Sequence, residues 1–175
     1  MSHVNLNVDL LARDLARLLG DMAALHAELA GSLREKLAAV RQADADRIQA
    51  LTARELALAE QAARREGLRR QITRRILEGL GDRTAQADAI RLSDLAERFP
   101  EPRRSQLLTA AAGLKVAVEE LRRMQRTHAL ITQEMLKHLG ELVLAMRGGG
   151  AEHEGYSRGG RRESGVPAGV FEAVG

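Results

Sequence analysis

An apolar repeat through residues 104–147 constrains the fold of this chain more than any other feature. Successive positions are separated by alternating steps of four and three residues, without a slip. A seam with this spacing predicts one helix of about 40 residues, roughly 60 Å long, which can bury its seam only against other long helices. The seam consists of Leu107, Ala111, Leu114, Val118, Leu121, Gln125, His128, Thr132, Met135, Leu139, Leu142 and Met146.

A second seam predicts a long helix at the start of the chain. This helix should begin near Asn5 or Asn7, because either side chain can cap free backbone N–H groups. Gly20 and Gly31 weaken it by about 1 kcal/mol each relative to alanine, so we expect them to permit close packing. Its apolar positions are Val8, Leu11, Leu15, Leu18, Met22, Leu25, Leu29, Leu33, Leu37 and Val40.

Two more helices are predicted between these seams. Residues 41–46 have the character of a turn, and Asp44 or Asp46 can cap a second long helix that ends near Gly79. A short third helix should run over residues 84–99, because the two prolines that follow cannot continue a helix. The apolar positions of the second helix include Ile48, Leu51, Leu58, Ala62, Leu68, Ile72, Ile76 and Leu80.

The composition supports an all-α fold, since 99 of the 175 residues are Ala, Glu, Lys, Leu or Arg. We therefore predict a bundle of long antiparallel helices with coiled-coil-like packing, three long and one short. The bundle domain should span residues 1–147. Residues 148–175 contain nine glycines and few large apolar side chains, so we expect a flexible tail there. A monomer, or a dimer that completes the bundle from two chains, would satisfy the seams equally well.

Several classes of protein are disfavoured by what the sequence lacks. The absence of cysteine excludes disulfides and thiolate metal sites and fits a reducing cytoplasm. No signal peptide is expected, and no apolar run approaches the roughly 20 residues of a membrane span. No phosphate-binding loop, nucleophile elbow or paired-histidine motif is present, so neither an enzyme nor a cofactor is expected. Glu134 and His138 are one helical turn apart but lack further metal ligands.

Arginine doublets at residues 64–65, 69–70 and 74–75 raise the question of nucleic-acid binding. On a helix they point in all directions, and Glu60 and Glu66 each precede an arginine by four residues, a favourable spacing for ion pairs. Three aromatic residues in the whole chain provide no stacking platform for bases. A solvated charged surface is the favoured interpretation, and no nucleic-acid partner is expected.

Two features of the last helix suit either the bundle core or a partner. The polar residues Gln125, His128 and Thr132 interrupt the seam, either to fix the register of a buried seam or to contact a partner. The end of the helix is apolar over more than one face, which indicates either a deeply buried segment or a surface for a partner. Its apolar residues are Leu130, Ile131, Met135, Leu136, Leu139, Leu142, Val143, Leu144 and Met146.

The order and spacing of these elements resemble the FlgN family of flagellar export chaperones over nearly the whole chain. The resemblance lies in Asp-Ala-Asp-Arg-Ile-Gln-Ala-Leu at residues 44–51, the leucine-containing segment 92–99, and Arg-Ser-Gln-Leu-Leu at 104–108. It continues in Gln-Arg-Thr-His-Ala-Leu-Ile at 125–131 and in the Tyr-Ser-Arg-Gly-Gly-Arg ending at 156–161. Gln125 and His128 depart from the family, which usually has asparagine there.

The resemblance implies a cytosolic chaperone that binds the C-terminal helical segments of hook-associated proteins, which form the hook–filament junction. It also implies delivery of these clients to the export gate and ATPase complex. The client would lie along Leu130, Ile131, Met135, Leu136, Leu139, Leu142, Val143 and Met146, and Tyr156 would dock at the export gate. The alternative function is a coiled-coil scaffold or adaptor with no role in export.

Overall fold

A computed structural model of the chain describes residues 6–82 and 90–148. The described residues are mainly helical and contain no strand. No helix among them has an apolar stretch of the length that a membrane span requires. The all-α prediction, with three long helices and one short helix, is confirmed. The helices are α1 (Leu6–Arg41), α2 (Ala45–Gly79), α3 (Leu92–Ala96) and α4 (Arg103–Gly148).

The bounds of the long helices agree with the prediction, whereas α3 is shorter than predicted. Residues 83–89 lie outside the described residues, so the predicted start at Thr84 is not tested. Ile90 and Arg91 are not helical, and the backbone leaves the helix after Ala96. Because Leu95, Ala96 and Phe99 are buried, packing and not length holds α3 in place.

The chain divides into two compact units, Met1–Thr132 and Gln133–Gly175, and each is described by itself. The first unit contains α1, α2, α3 and the beginning of α4. The described part of the second unit is residues 133–148, which form the end of α4. The predicted boundary between a bundle domain, 1–147, and a tail, 148–175, stays a prediction because residues 149–175 lie outside the described part.

Contacts at both ends show that α1 and α2 run antiparallel. Near the end of α1, Lys36 Nζ lies 2.8 Å from Glu55 Oε2, which belongs to the early part of α2. At the opposite end, a Cβ atom added to Gly79 would lie 2.5 Å from Cγ2 of Val8. Gly79 therefore permits the close approach of α2 to the start of α1. The same role was predicted for Gly20 and Gly31 and is wrong, because a Cβ at either would meet no atom within 4 Å.

Within the first unit, α4 runs in the same direction as α1. Arg103 at the start of α4 donates two hydrogen bonds to the Asp9 carboxylate, at 2.8 and 2.7 Å. Further along, Arg34 Nη1 lies 3.2 Å from Glu120 Oε1. The hydrogen bonds from Arg103 lower the pKa of Asp9. The stability from this pair is therefore complete above the ordinary carboxyl pKa and is lost as the pH falls through the lowered value.

Two clusters of buried side chains hold the first unit together, and α1 contributes to both. The larger one gathers the start of α1, the end of α2, α3 and the start of α4. The smaller one joins Ala30 of α1 to Leu121 and Met124 of α4. The buried members of the larger cluster are Val8, Ala12, Leu15, Leu19, Ile76, Leu77, Leu95, Ala96, Phe99 and Leu107.

The first two helices end in the same backbone motif with different residues. After α2, Gly81 has φ +79°, and the N–H of Asp82 donates to the carbonyl of Leu77 at 2.9 Å. After α1, Ala43 has φ 54°, and the N–H of Asp44 donates to the carbonyl of Ala39 at 3.0 Å. This motif favours glycine because a Cβ is strained at positive φ. Asp44 also caps α2 as predicted, by accepting from the N–H of Arg47 at 2.9 Å.

Replacing Ala43 by glycine should stabilise the fold. In the folded state, glycine relieves the strain of a side chain in the left-handed region, which is worth about 1–2 kcal/mol. In the unfolded state, the greater conformational entropy of glycine costs about 0.4–1 kcal/mol of stability, which is less. We expect Ala43→Gly to raise the free energy of unfolding by about 0.5–1 kcal/mol, measured by urea denaturation. The matched control is Ala59→Gly on the exposed face of α2, which should lower it by about 1 kcal/mol. Equal destabilisation by both changes would contradict the strain at Ala43.

Thr73 is a buried polar residue in α2 that the apolar pattern did not predict. Its side chain is fully buried, and its hydroxyl Oγ1 has no hydrogen-bond partner. Its neighbours Ile72, Ile76 and Leu77 belong to or pack against the larger cluster. Burying an unpaired hydroxyl costs free energy that a methyl group of the same shape does not.

We expect Thr73→Val to raise the free energy of unfolding by about 1 kcal/mol, because the change removes the unpaired hydroxyl and keeps the side-chain shape. Thermal and urea denaturation measure this. Thr52→Val is the matched control, since Thr52 is exposed and its hydroxyl donates to the carbonyl of Ile48 at 2.8 Å. The control should stay within about 0.5 kcal/mol of the parent chain. A loss of stability in Thr73→Val would show that the hydroxyl is paired in solution.

Candidate partner-binding site

The end of α4 in the second unit, residues 133–148, is an amphipathic helix. At 100° per residue, Met135, Leu139, Leu142 and Met146 fall within about 60° of the helix circumference. Leu136 and Val143 lie beside them and widen the apolar sector to about 120°. We call these six residues the apolar arc. Leu144 lies on the opposite side of the helix, together with Lys137.

All six side chains of the apolar arc are exposed, from 43% for Met135 to 80% for Met146. Seven of the fourteen large hydrophobic residues that are exposed in the described part of the chain lie in these 16 residues. Single exposed hydrophobic residues are normal on a protein surface, but a contiguous patch marks a surface for a partner. Of the two alternatives left open by the sequence, a buried segment and a partner surface, the exposure favours the second.

The edge of the apolar arc next to Leu142 carries His138. Glu134 and Glu141 lie about 80° and 100° beyond Leu142 on the helix circumference, which places them away from the arc. Nδ1 of His138 is 3.4 Å from Oε2 of Glu141. The other edge carries Gln133, Gly140 and Arg147. In residues 6–82 and 90–148, no group of three or more His, Asp or Glu side chains could hold a metal ion.

The remaining predicted site residues lie elsewhere. Leu130 and Ile131 belong to the first unit, where Leu130 is 65% exposed and Ile131 is half-buried. Tyr156, predicted to dock at the export gate, lies outside the described residues. The structure therefore places six of the eight predicted client-binding residues together on one short helical segment.

The polar residues that interrupt the seam do not form a buried layer. Gln125 and Thr132 are exposed, and His128 is half-buried with its Nδ1 3.4 Å from Oγ1 of Thr132. Nε2 of His128 is buried without a hydrogen-bond partner. Met124 takes the buried position that the seam assigned to Gln125. The interpretation of these residues as a register-fixing layer inside this bundle is wrong, because burial along α4 ends here.

Arginines of the doublets 64–65 and 69–70 of α2 pair with carboxylates as their spacing predicts. Arg69 and Arg70 both donate to Glu66, at 2.8 and 2.9 Å, and Arg64 lies 3.8 Å from Glu60. The two arginines lower the pKa of Glu66 to about 2, with the hydrogen bond from Arg69 as the largest cause. These pairs form a solvated charged surface, so the geometry gives no support to a nucleic-acid site.

A groove in the first unit was not identified from the sequence. It has a volume of about 410 Å³ and lies between α1 and α4. Val116 on its wall is 66% exposed, and the Arg34–Glu120 ion pair lines it. The feature of the sequence that could have revealed this groove is the regular spacing of small residues along α1 and α4. Its lining consists of Ala23, Ala24, Ala27, Ala30, Arg34, Gly113, Val116, Ala117 and Glu120.

Comparison with known proteins agrees with the resemblance seen in the sequence. Neither the curated proteins nor the solved structures give a match. The family model described as FlgN protein matches residues 10–164, which covers all four helices except the first few residues of α1. The chain therefore belongs to the FlgN family of flagellar export chaperones.

Proposed function

We propose that this chain binds the C-terminal helical segments of hook-associated proteins in the cytosol and delivers them to the flagellar export apparatus. Its family supports export chaperoning in general. The observation that carries the proposal for this chain is the exposed apolar arc of residues 133–148. An amphipathic client helix can lay its own apolar face along this arc and so shield both surfaces from water.

The composition of the apolar arc suits a chaperone for more than one client. Met135 and Met146 have flexible, polarisable side chains that adapt to partners of different shape. Leu139 lies at the centre of the arc and Leu142 at one margin, and both offer an exposed aliphatic side chain. Leu130 and Ile131 are proposed to contribute to client binding as well.

Delivery would follow client binding and involve the export gate and the ATPase complex. The proposed docking residue is Tyr156, the one tyrosine of the chain. A chaperone that holds clients before export acts in the cytosol, and this is the proposed location. This assignment requires no catalytic group, metal or cofactor.

A scaffold or adaptor without a role in export is the second candidate. The spacing of Met135, Leu139, Leu142 and Met146 favours it, because alternating steps of four and three also suit a coiled coil. The two candidates differ in what they do to a client. A chaperone keeps an otherwise insoluble segment in solution at one-to-one stoichiometry, whereas a scaffold self-associates or bridges folded partners.

We expect the chain to bind the C-terminal segment of a hook–filament junction protein from the same genome with one-to-one stoichiometry and a negative heat-capacity change. Leu142→Ser should weaken binding roughly thirtyfold, because about 2 kcal/mol of apolar burial is lost. The double variant Leu139→Ser and Leu142→Ser should abolish measurable binding. Titration calorimetry measures all three, and circular dichroism checks that the variants remain helical.

Leu144→Ser is the matched control. Leu144 is 67% exposed and Leu142 is 59% exposed, and they are two residues apart on opposite sides of the same helix. The control should bind within about threefold of the parent chain, since Leu144 lies off the apolar arc. Equal losses in Leu142→Ser and Leu144→Ser would contradict a site on the arc. The absence of binding by the folded parent chain to any junction segment would contradict the proposed client class.

A further inference from the structure

Methionine is the only sulfur-containing residue type of this chain, which has five methionines and no cysteine. The structure describes four of them. Met22 and Met124 are buried in the first unit, with 4% and 6% of their surface exposed. Met135 and Met146 lie on the apolar arc, with 43% and 80% exposed. The described methionines therefore divide into a buried pair in the first unit and an exposed pair on the arc.

The exposed pair occupies the two ends of the apolar arc. Met135 and Met146 are eleven residues apart, so their side chains leave the helix in directions that differ by about 20°. Their Cα atoms are separated by about 16.5 Å along the helix axis, with Leu139 and Leu142 between them. A helix that lies along the whole arc therefore covers both thioethers.

A thioether is the group in this chain that reacts with peroxide, because no thiol competes for the oxidant. The sulfur lone pair attacks one oxygen of hydrogen peroxide, the O–O bond breaks, and water leaves. Sulfur loses two electrons and the side chain becomes methionine sulfoxide, which is polar and accepts hydrogen bonds. Because the oxidant must reach the sulfur, exposure directs the reaction to Met146 and Met135.

A sulfoxide on the arc affects the complex more than the free chain. In the free chain the new S=O group is in water, so neither the helix nor the buried clusters lose a contact. Against the apolar face of a client, the same group is removed from water without a hydrogen-bond donor, which costs free energy. Oxidation of the arc therefore weakens client binding and leaves the fold intact.

We propose that Met135 and Met146 form a reversible oxidation site that controls client binding, with hydrogen peroxide as the oxidant. The inference rests on the proposed function and adds a regulation of the same surface. In the reduced chain the arc binds its client, and with both sulfoxides in place the client is released. Methionine sulfoxide reductases restore the thioethers, and the exposure of both side chains leaves them open to these enzymes.

Peptide mapping by mass spectrometry tests the selectivity of the reaction. The full chain is treated with hydrogen peroxide in the absence of a client, and catalase then removes the oxidant. We expect sulfoxide at Met146 and Met135, whereas Met22 and Met124 stay reduced as long as the chain is folded. In guanidinium chloride all four should react at similar rates. Oxidation of the buried pair as fast as the arc in the folded chain would overturn the inference.

Titration calorimetry with the C-terminal segment of a junction protein measures the consequence for binding. The segment is added after the peroxide has been removed, so its own side chains stay reduced. Each sulfoxide should lower the affinity about tenfold, and both together about a hundredfold. The circular dichroism of the oxidised chain should equal that of the parent chain. Incubation with reductases for both sulfoxide epimers should restore the affinity.

The combined variant Met135→Leu and Met146→Leu shows whether the arc is responsible. Leucine keeps the apolar volume, so the untreated variant should bind within about threefold of the parent chain. Peroxide should leave its affinity unchanged, although its other three methionines remain. Met146→Gln is the converse variant. It places a polar side chain on the arc without any oxidant and should weaken binding about tenfold.

The outcomes separate this inference from the function on which it rests. Undiminished binding by a chain with both sulfoxides would overturn the regulation and leave the chaperone function standing. An equal loss of affinity in the peroxide-treated leucine variant would also overturn it, because the loss would then arise outside the arc. The failure of the reduced, folded parent chain to bind any junction segment would remove the proposed function and the regulation together.

Discussion

Packing against α1 holds the first unit together. α1 packs against α2 through one face and α4 through another, so both hydrophobic clusters of the first unit depend on it. Within the first unit α1 and α4 run in the same direction, with Asp9 paired to Arg103 near their starts and Arg34 paired to Glu120 further along. The packing against α1 buries Leu121 and Met124 of α4.

This constraint explains why the sequence predicted the helix but not its burial. The repeat of four and three residues depends on α4 alone, and it correctly gave a helix of that position and length. Whether a seam position is buried depends on the helix packed beside it, which local periodicity does not contain. Gln125 and Thr132 are exposed, and no residue from 125 to 147 is fully buried, although the repeat continues to Met146.

The same distinction applies to the smaller elements. Gly81 was predictable as a helix end because glycine is the usual residue at positive φ, whereas Ala43 adopts the same backbone with no sequence signal. In α2 the apolar pattern included Leu68, which is 45% exposed, and omitted Thr73, which is fully buried. Apolar residues in α2 are few and lie between arginines. The packing of α2 against α1 therefore determines which positions of α2 are buried. For the site, the sequence identified the apolar residues but left open whether they are buried, and their exposure in the structure distinguishes the two cases.

The exposed arc also affects the chain that carries it. A net charge of +3 gives little electrostatic repulsion between copies, so the solubility of the free protein depends on how strongly these 16 residues associate. A helix bound along the arc covers the very surface that limits solubility. Protection from aggregation would then be mutual, since each partner keeps the other in solution. Accumulation of either one in excess would expose an apolar surface that the complex hides.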